Sequence, residues 1–344
     1  MKEAMFYEKK DHQRVICYLC PHNCTISPGK TGVCGVRKNI DGSLYSLVYG
    51  KAIALHIDPI EKKPLFHVYP ASKSFSMSTV GCNFKCEFCQ NHDISQLPRA
   101  TKSQHIPGRE ISAEEIVQSA VQNDCKTIAY TYTEPTIYFE YAYDCAKLAH
   151  ESGILNVFVT NGYISEEALR TIQPYLDAAN VDLKGFDEAF YQKIVGGKLS
   201  AVLDTLQLMK KLGIFVEVTT LIVPGHNDTE EQLQKIARFI KENLGVDTPW
   251  HISRFYPQYR LSSLPPTPAR VIRRARAIGF ETGIRYVYTG NIAGDEGEHT
   301  FCYQCKTLLI ERWGFALNKN MIGPDQRCPN CGAKIDGIGL SGSH

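Results

Sequence analysis

The sequence predicts an α/β fold, a parallel sheet curled into a partial (β/α)6 barrel with a small cysteine-rich element at each end of the chain. Three observations predict it. Short apolar runs rich in β-branched and aromatic residues recur through the middle of the 344 residues, at Ser74–Val80, Thr127–Tyr132, Ile154–Thr160, Ala178–Leu183, Ile214–Leu221 and Trp250–Phe255. Such runs suit strands buried on both faces. Amphipathic stretches with helix-start signatures separate them, and strand–helix alternation implies parallel pairing through crossovers. Six units fit an incomplete barrel better than a closed eight-stranded one, with a flat doubly wound sheet as the alternative.

Residues 1–72 begin with four cysteines and continue through short strand-like runs. Residues 73–292 carry the alternation, and residues 293–344 carry a last cysteine group and a small-residue tail. Within the middle section, Ser112 with Glu115 forms a capping-box signature ahead of Ile116, Val117, Ala120 and Val121 on one helical face. Asp228 with Glu231 repeats the pattern before Leu233, Ile236, Ala237 and Ile240. Gly213 follows a helix expected to end at Leu212, where a left-handed residue closes the last turn.

With 43% hydrophobic and 22% charged residues the composition is that of a soluble globular chain. A formal net charge of +2 gives no bulk electrostatic case for nucleic acid or membrane. The charged start, MKEAMFYEKKDHQ, does not suit a secretory signal, and no apolar run approaches the ~18 residues of a membrane span. A cytoplasmic location is expected. In a reducing compartment, thirteen cysteines in this pattern indicate metal binding rather than a disulfide framework. Cys125 and Cys145 stand apart and read as small buried apolar residues.

Cys82, Cys86 and Cys89 follow the first strand candidate in the segment GCNFKCEFCQN. Functional residues of parallel α/β folds collect at the carboxyl ends of strands, and this loop stands at one. The C-x3-C-x2-C spacing gathers three thiolates, the usual protein ligands of iron–sulfur clusters. Three thiolates leave one iron of a four-iron cluster open to a ligand. The rival reading is a structural zinc site completed by a fourth residue.

CNFKCEFC, with Phe88 before the third cysteine, resembles the signature of the radical S-adenosylmethionine (radical SAM) superfamily. The resemblance implies a [4Fe–4S] cluster on Cys82, Cys86 and Cys89 whose open iron chelates the methionine end of S-adenosylmethionine. A one-electron transfer, supplied by an external donor, then breaks the S–C5′ bond and yields methionine and a 5′-deoxyadenosyl radical. Phe88 is implied in cofactor binding. Thr133-Glu134-Pro135 is similar to the end of the superfamily's Gly-Gly-Glu-Pro segment, where the glutamate receives the methionine ammonium group. Tyr132 and Thr133 replace the two glycines here, which puts the backbone contacts in question. Asn161, after the third strand, stands where relatives contact ribose or carboxylate. Asp182-Leu183-Lys184 resembles an Asp-x-Lys of glycyl-radical-enzyme activases that lines the same pocket. His251 and Arg254, around the sixth strand, are substrate-side candidates, although a lone strand histidine is commonly packed inside a core.

Two further groups flank this motif. Cys302-x2-Cys305 and Cys328-x2-Cys331 are two knuckles with 22 residues between them, a pairing suited to tetrahedral zinc. A rubredoxin-like iron site has the same spacing. Cys17, Cys20, Cys24 and Cys34 form the N-terminal group, able to hold zinc or an auxiliary cluster. In order and content, the three parts resemble the radical enzyme family of the AmmeMemoRadiSam system, and the barrel is similar to pyruvate-formate-lyase-activating enzymes. That implies AMMECR1-like and Memo-like protein partners and an unidentified small-molecule or protein substrate. A glycyl-radical activase and a nucleic-acid-contacting metal scaffold are the alternatives. For the last, the arginines at 270, 273, 274 and 276 share their segment with an apolar face and read as a solvated outer helix.

Overall fold

The computed structural model of the chain describes residues 1–100 and 106–342. An eight-stranded sheet forms its centre, with strands β1 to β8 in chain order: Ala54–Pro59, Lys73–Ser78, Thr127–Tyr130, Leu155–Thr160, Ala178–Asp182, Phe215–Ile222, Trp250–Arg254 and Val287–Gly290. Their spatial order is their chain order, and β2 to β8 are mutually parallel. Helices α1 to α6 connect them: Ala113–Gln122, Phe139–Glu151, Glu166–Ile172, Leu199–Lys211, Glu230–Phe239 and Ala269–Thr282. Six βα units followed by β8 constitute the partial barrel expected from the alternation.

All six strand candidates form strands, and two more extend the sheet. β8, four residues long, carries no strand candidate in the sequence. β1 lies inside the section that the sequence groups with the N-terminal cysteines, yet pairs antiparallel with β2 along its whole length. The Ser112–Glu115 capping box is present in both directions. The second signature is displaced by one residue. Thr229, not Asp228, caps α5 by accepting from the Gln232 amide, while Asp228 accepts from Gly225 in the preceding turn. Either side chain suits an N-cap, and the turn claims the aspartate. Gly213 has φ +79° just after α4, as the left-handed cap requires.

Helices cover the outer face of the sheet. Residues 60–69 cover part of the inner face at the amino ends of the strands. Ile60, Leu65 and Val68 pack on Ala129, Val157 and Ala178, forming a cluster separate from the helix-covered core. The buried carboxylate of Glu217 on β6 accepts from the Phe66 and His67 amides at 3.2 and 2.8 Å. The C-terminal residues form an antiparallel sheet, Thr300–Phe301, Leu308–Trp313 and Ala316–Asn320, which packs on Phe66, Tyr286 and Tyr288. Arg312, fully buried, donates to the Phe66 carbonyl at 2.8 Å and to Thr300 at 2.7 Å.

Candidate active site

The loop bearing Cys82, Cys86 and Cys89 leaves the carboxyl end of β2. Gly81 starts it with φ +101°, a conformation L side chains rarely adopt. A β-carbon there would also lie 2.8 Å from Val36 and 3.0 Å from the Cys34 carbonyl. The loop is then tied down from several directions. The Lys85 and Glu87 amides donate to the carbonyls of Val195 and Ile194, and Arg99 donates to the Cys82 carbonyl at 2.7 Å. Asn83 donates to the Tyr163 carbonyl at 2.8 Å and accepts from Asn161 at 2.8 Å.

The next strand ends meet this loop. Glu134, after β3, is 2% exposed. One carboxylate oxygen accepts from the Thr136 amide, the Thr136 hydroxyl and the Thr160 hydroxyl. The other accepts from the Asn161 amide alone, at 2.8 Å, leaving acceptor capacity for a cationic group. Burial raises the Glu134 pKa, against the pull of these donors. Asn161 has both ends of its side chain engaged, by Asn83 and by the Tyr163 amide at 2.9 Å. It therefore ties the cysteine loop to Glu134.

Thr133 bonds back to the Thr79 carbonyl at 2.8 Å. Tyr132 adopts φ +61°, a left-handed conformation in a residue other than glycine. A left-handed non-glycine residue costs about 1–2 kcal/mol. Here the Tyr132 hydroxyl donates to Asp58 and Lys63 lies 4.6 Å above its ring, contacts that offset the strain. Lys63 also bonds Asp58 at 2.6 Å. Burial lowers the Lys63 pKa to about 8 despite that carboxylate. Nothing in the sequence marks this Asp58–Lys63–Tyr132 group, because two of its members lie in a segment without a recognisable motif.

Lys184 and Asp182, beyond and at the end of β5, pair at 2.8 Å. Burial works against the Lys184 charge, but Asp182 and the nearby Cys86 outweigh it and raise its pKa. Lys184 also stands 5.9 Å from the Phe88 ring, which stacks parallel on Phe190 at 6.1 Å. Cys82, Cys86, Cys89, Phe88, Glu134, Asn161, Asp182 and Lys184 thus converge through direct contacts or short relays.

The two substrate-side candidates do not join them by contact. His251, buried, bonds Glu217 at 2.6 Å and stacks on Tyr288, below the sheet's carboxyl end and beside the 60–69 segment. Arg254 donates to the Thr267 carbonyl at 2.7 Å and to the Tyr256 hydroxyl at 3.2 Å. Alternation along β7 points residues 251 and 254 to opposite faces. On α6, Arg273 pairs with Asp295, and Arg274 pairs with Glu230 and Glu281.

Cys302, Cys305, Cys328 and Cys331 form the single group of three or more potential metal ligands, among the described residues, whose atoms all lie within 4.8 Å of one another. Cys302–Cys331 and Cys305–Cys328 are each 3.6 Å apart. Thiolates 2.3 Å from one tetrahedral ion stand about 3.8 Å apart, so this group fits a metal ion.

Residues 76–240 match the family model described as the Radical SAM superfamily. The chain belongs to the radical SAM superfamily. An uncharacterized protein of Methanocaldococcus jannaschii is 49% identical over 339 residues, which are 98% of this chain and 99% of that one. A pyruvate formate-lyase-activating enzyme of Clostridium pasteurianum is 26% identical over 176 residues, 48% of this chain and 69% of that enzyme. In structure, a radical SAM methyltransferase from Sphaerobacter thermophilus superposes with a TM-score of 0.50 at 14% identity, covering 64% of this chain and 67% of that one. That likeness concerns the fold. Radical SAM proteins are enzymes, and membership implies a [4Fe–4S] cluster and S-adenosylmethionine. The residues present fit them. Cys86 is a buried thiol and Cys82 a half-buried one, and burial pushes Cys86 up to about 12, with Lys184 opposing. Buried thiolates need a metal's charge to persist. The three thiols are also not gathered within the 4.8 Å that the C-terminal group achieves, which suits a cluster broader than one ion.

Proposed function

We propose that Cys82, Cys86 and Cys89 hold the open cluster and that Glu134, Asp182 and Lys184 receive S-adenosylmethionine beside it. When bound, the cluster supplies the electron that cleaves S-adenosylmethionine to methionine and a 5′-deoxyadenosyl radical. The observation that carries this reading is the relay from Cys82 through Asn83 and Asn161 to Glu134. It holds a spare carboxylate acceptor in register with the cysteine loop. Glu134 offers that acceptor to the methionine ammonium, and Lys184 offers a cation to the methionine carboxylate while Asp182 restrains it. Phe88, backed by Phe190, gives an apolar wall.

The substrate on this reading is a small molecule or a protein other than a glycyl-radical enzyme, and the protein acts with AMMECR1-like and Memo-like partners in the cytoplasm, with zinc at the C-terminal cysteines. Support comes from the two terminal cysteine groups, which hydrogen abstraction from a backbone glycine does not call for. A second reading, glycyl-radical activation, is favoured by relatives named as activating enzymes, among them that of Clostridium pasteurianum. Anaerobic reconstitution followed by measurement of 5′-deoxyadenosine tests the shared step. Intact S-adenosylmethionine under reducing conditions would overturn both. A glycine-centred EPR doublet on a partner protein selects the second.

A further inference from the structure

Cys17, Cys20, Cys24 and Cys34 surround one small enclosed cavity. Cys17 and Cys24 are cross-strand partners in the antiparallel pair Val15–Cys17 and Cys24–Ile26. Cys34 arrives on the return of the same loop, and Gly32 leaves room beside the Cys24 sulfur, which would stand 3.5 Å from a β-carbon there. The remaining wall is mainly apolar, with Leu19, Ile26, Val33 and Ile137, and one charged side chain, Arg37, completes it.

Arg37 is 2% exposed. Its two terminal nitrogens are satisfied by Glu140, at 2.9 and 3.0 Å, and by the Met5 carbonyl at 2.6 Å. Its Nε has no partner. A buried guanidinium N–H on the wall of a four-thiol cavity lacks an acceptor that an anionic occupant would provide. Leaving such a donor unmatched costs about 1–3 kcal/mol, so its occurrence points to a ligand.

The sulfur spacing then identifies the class of ligand. The C-terminal cysteines show what this chain does around a single ion, with sulfurs 3.6 Å apart in pairs. Neither the N-terminal four nor Cys82, Cys86 and Cys89 provides three sulfurs mutually within 4.8 Å, among the described residues. A polynuclear cluster places a metal–sulfide edge between any two thiolates and requires that wider frame. We propose that Cys17, Cys20, Cys24 and Cys34 ligate a second iron–sulfur cluster, closed by four thiolates, with Arg37 donating to its anionic sulfurs.

Its position is adjacent to the first. The Cys34 carbonyl abuts Gly81, the residue before Cys82, and His22 bonds the Asn83 carbonyl at 2.8 Å. The two cysteine loops are in contact through these groups, an arrangement suited to one-electron exchange.

Metal analysis of the full chain tests the proposal without reference to turnover. The Cys82/Cys86/Cys89→Ala protein, reconstituted anaerobically with iron and sulfide, should keep about four iron and four sulfide per chain. On reduction it should show an EPR signal, beside about one zinc at the C-terminal group. The unsubstituted chain should hold twice that iron, and Cys17/Cys20/Cys24/Cys34→Ser should halve it. Should the last variant not fold, the first comparison still decides. Two zinc and no iron in the triple-alanine protein would overturn the proposal. Iron at the expected level without S-adenosylmethionine cleavage in the unsubstituted chain would sustain the second cluster while sinking the radical reading.

Discussion

Glu217→Gln perturbs the link between sheet and C-terminal ribbon without changing volume. The carboxylate is fully buried and accepts from Phe66, His67 and His251. Glutamine keeps one oxygen, sufficient for His67. Its amide nitrogen can meet His251 in the other tautomer but faces the Phe66 N–H donor to donor. One buried N–H is orphaned, costing about 1–3 kcal/mol, and the bond kept loses its charge assistance, about 1 kcal/mol more. The sum, about 2–4 kcal/mol, should lower the urea midpoint at neutral pH by roughly 1 M. Because Arg312 ties Phe66 to the ribbon, amide exchange along Leu308–Trp313 should accelerate in step. The pH response carries a second signature. Burial alone would raise the Glu217 pKa, yet bonds and charge from His251 and His67 hold it below the ordinary value. Its stabilisation is therefore complete above the unfolded value of about 4.3 and is lost as pH falls through the lower folded value. His67, lowered by burial, likewise contributes above about 6.5 and loses that contribution as pH falls toward its folded value. The unsubstituted protein should weaken in both ranges, and Glu217→Gln should lack the more acidic step. An unchanged midpoint with unchanged ribbon exchange would refute the role given to this carboxylate.

Other expectations are more local. Asn161→Ala strands the Asn83 oxygen and the Tyr163 amide and should cut S-adenosylmethionine cleavage at least about tenfold, the effect of a misplacement worth ~1.4 kcal/mol, measured as 5′-deoxyadenosine formed. Gly81→Ala meets both the +101° φ and the Cys34 carbonyl, and should lower iron retention after reconstitution, read by iron analysis. Lys184→Met should weaken S-adenosylmethionine binding by calorimetry more than it alters iron content, since Lys184 faces the cluster loop without ligating it. A chelator that strips the C-terminal cysteines should release about one metal ion and speed amide exchange in the ribbon, while leaving the iron in place.

The repeating part of the fold was legible because each unit states its own period. β2 through β7 are apolar runs, and the Ser112 box marks a helix start without tertiary help. β1 was not legible. His56 and Asp58 stand among its apolar residues, and only pairing with β2 assigns it to the sheet. Of the site, Cys82, Cys86 and Cys89 are visible because ligation demands close spacing in the chain. Glu134 and Lys184 stand out by local motif. Lys63 and Arg37 had no such signal, since Tyr132, over which Lys63 lies, and Glu140, with which Arg37 pairs, stand far along the chain. His251 is the less legible for the related reason that a strand pattern locates a residue on a face without stating its depth. The structure places it against Glu217, bonded at 2.6 Å.

Residues 60–69 lie across the inner face of the sheet at the ends opposite the cysteine loops. That end of the inner face is therefore filled in part by the chain itself, and on the proposed reading cofactor and substrate are received at the opposite end, among the cysteine loops. If both are received at that one end, the order in which they arrive becomes part of the chemistry. A late-arriving substrate would act as a lid over a cofactor already seated. A reactive fragment made beneath it would meet the substrate before it met water.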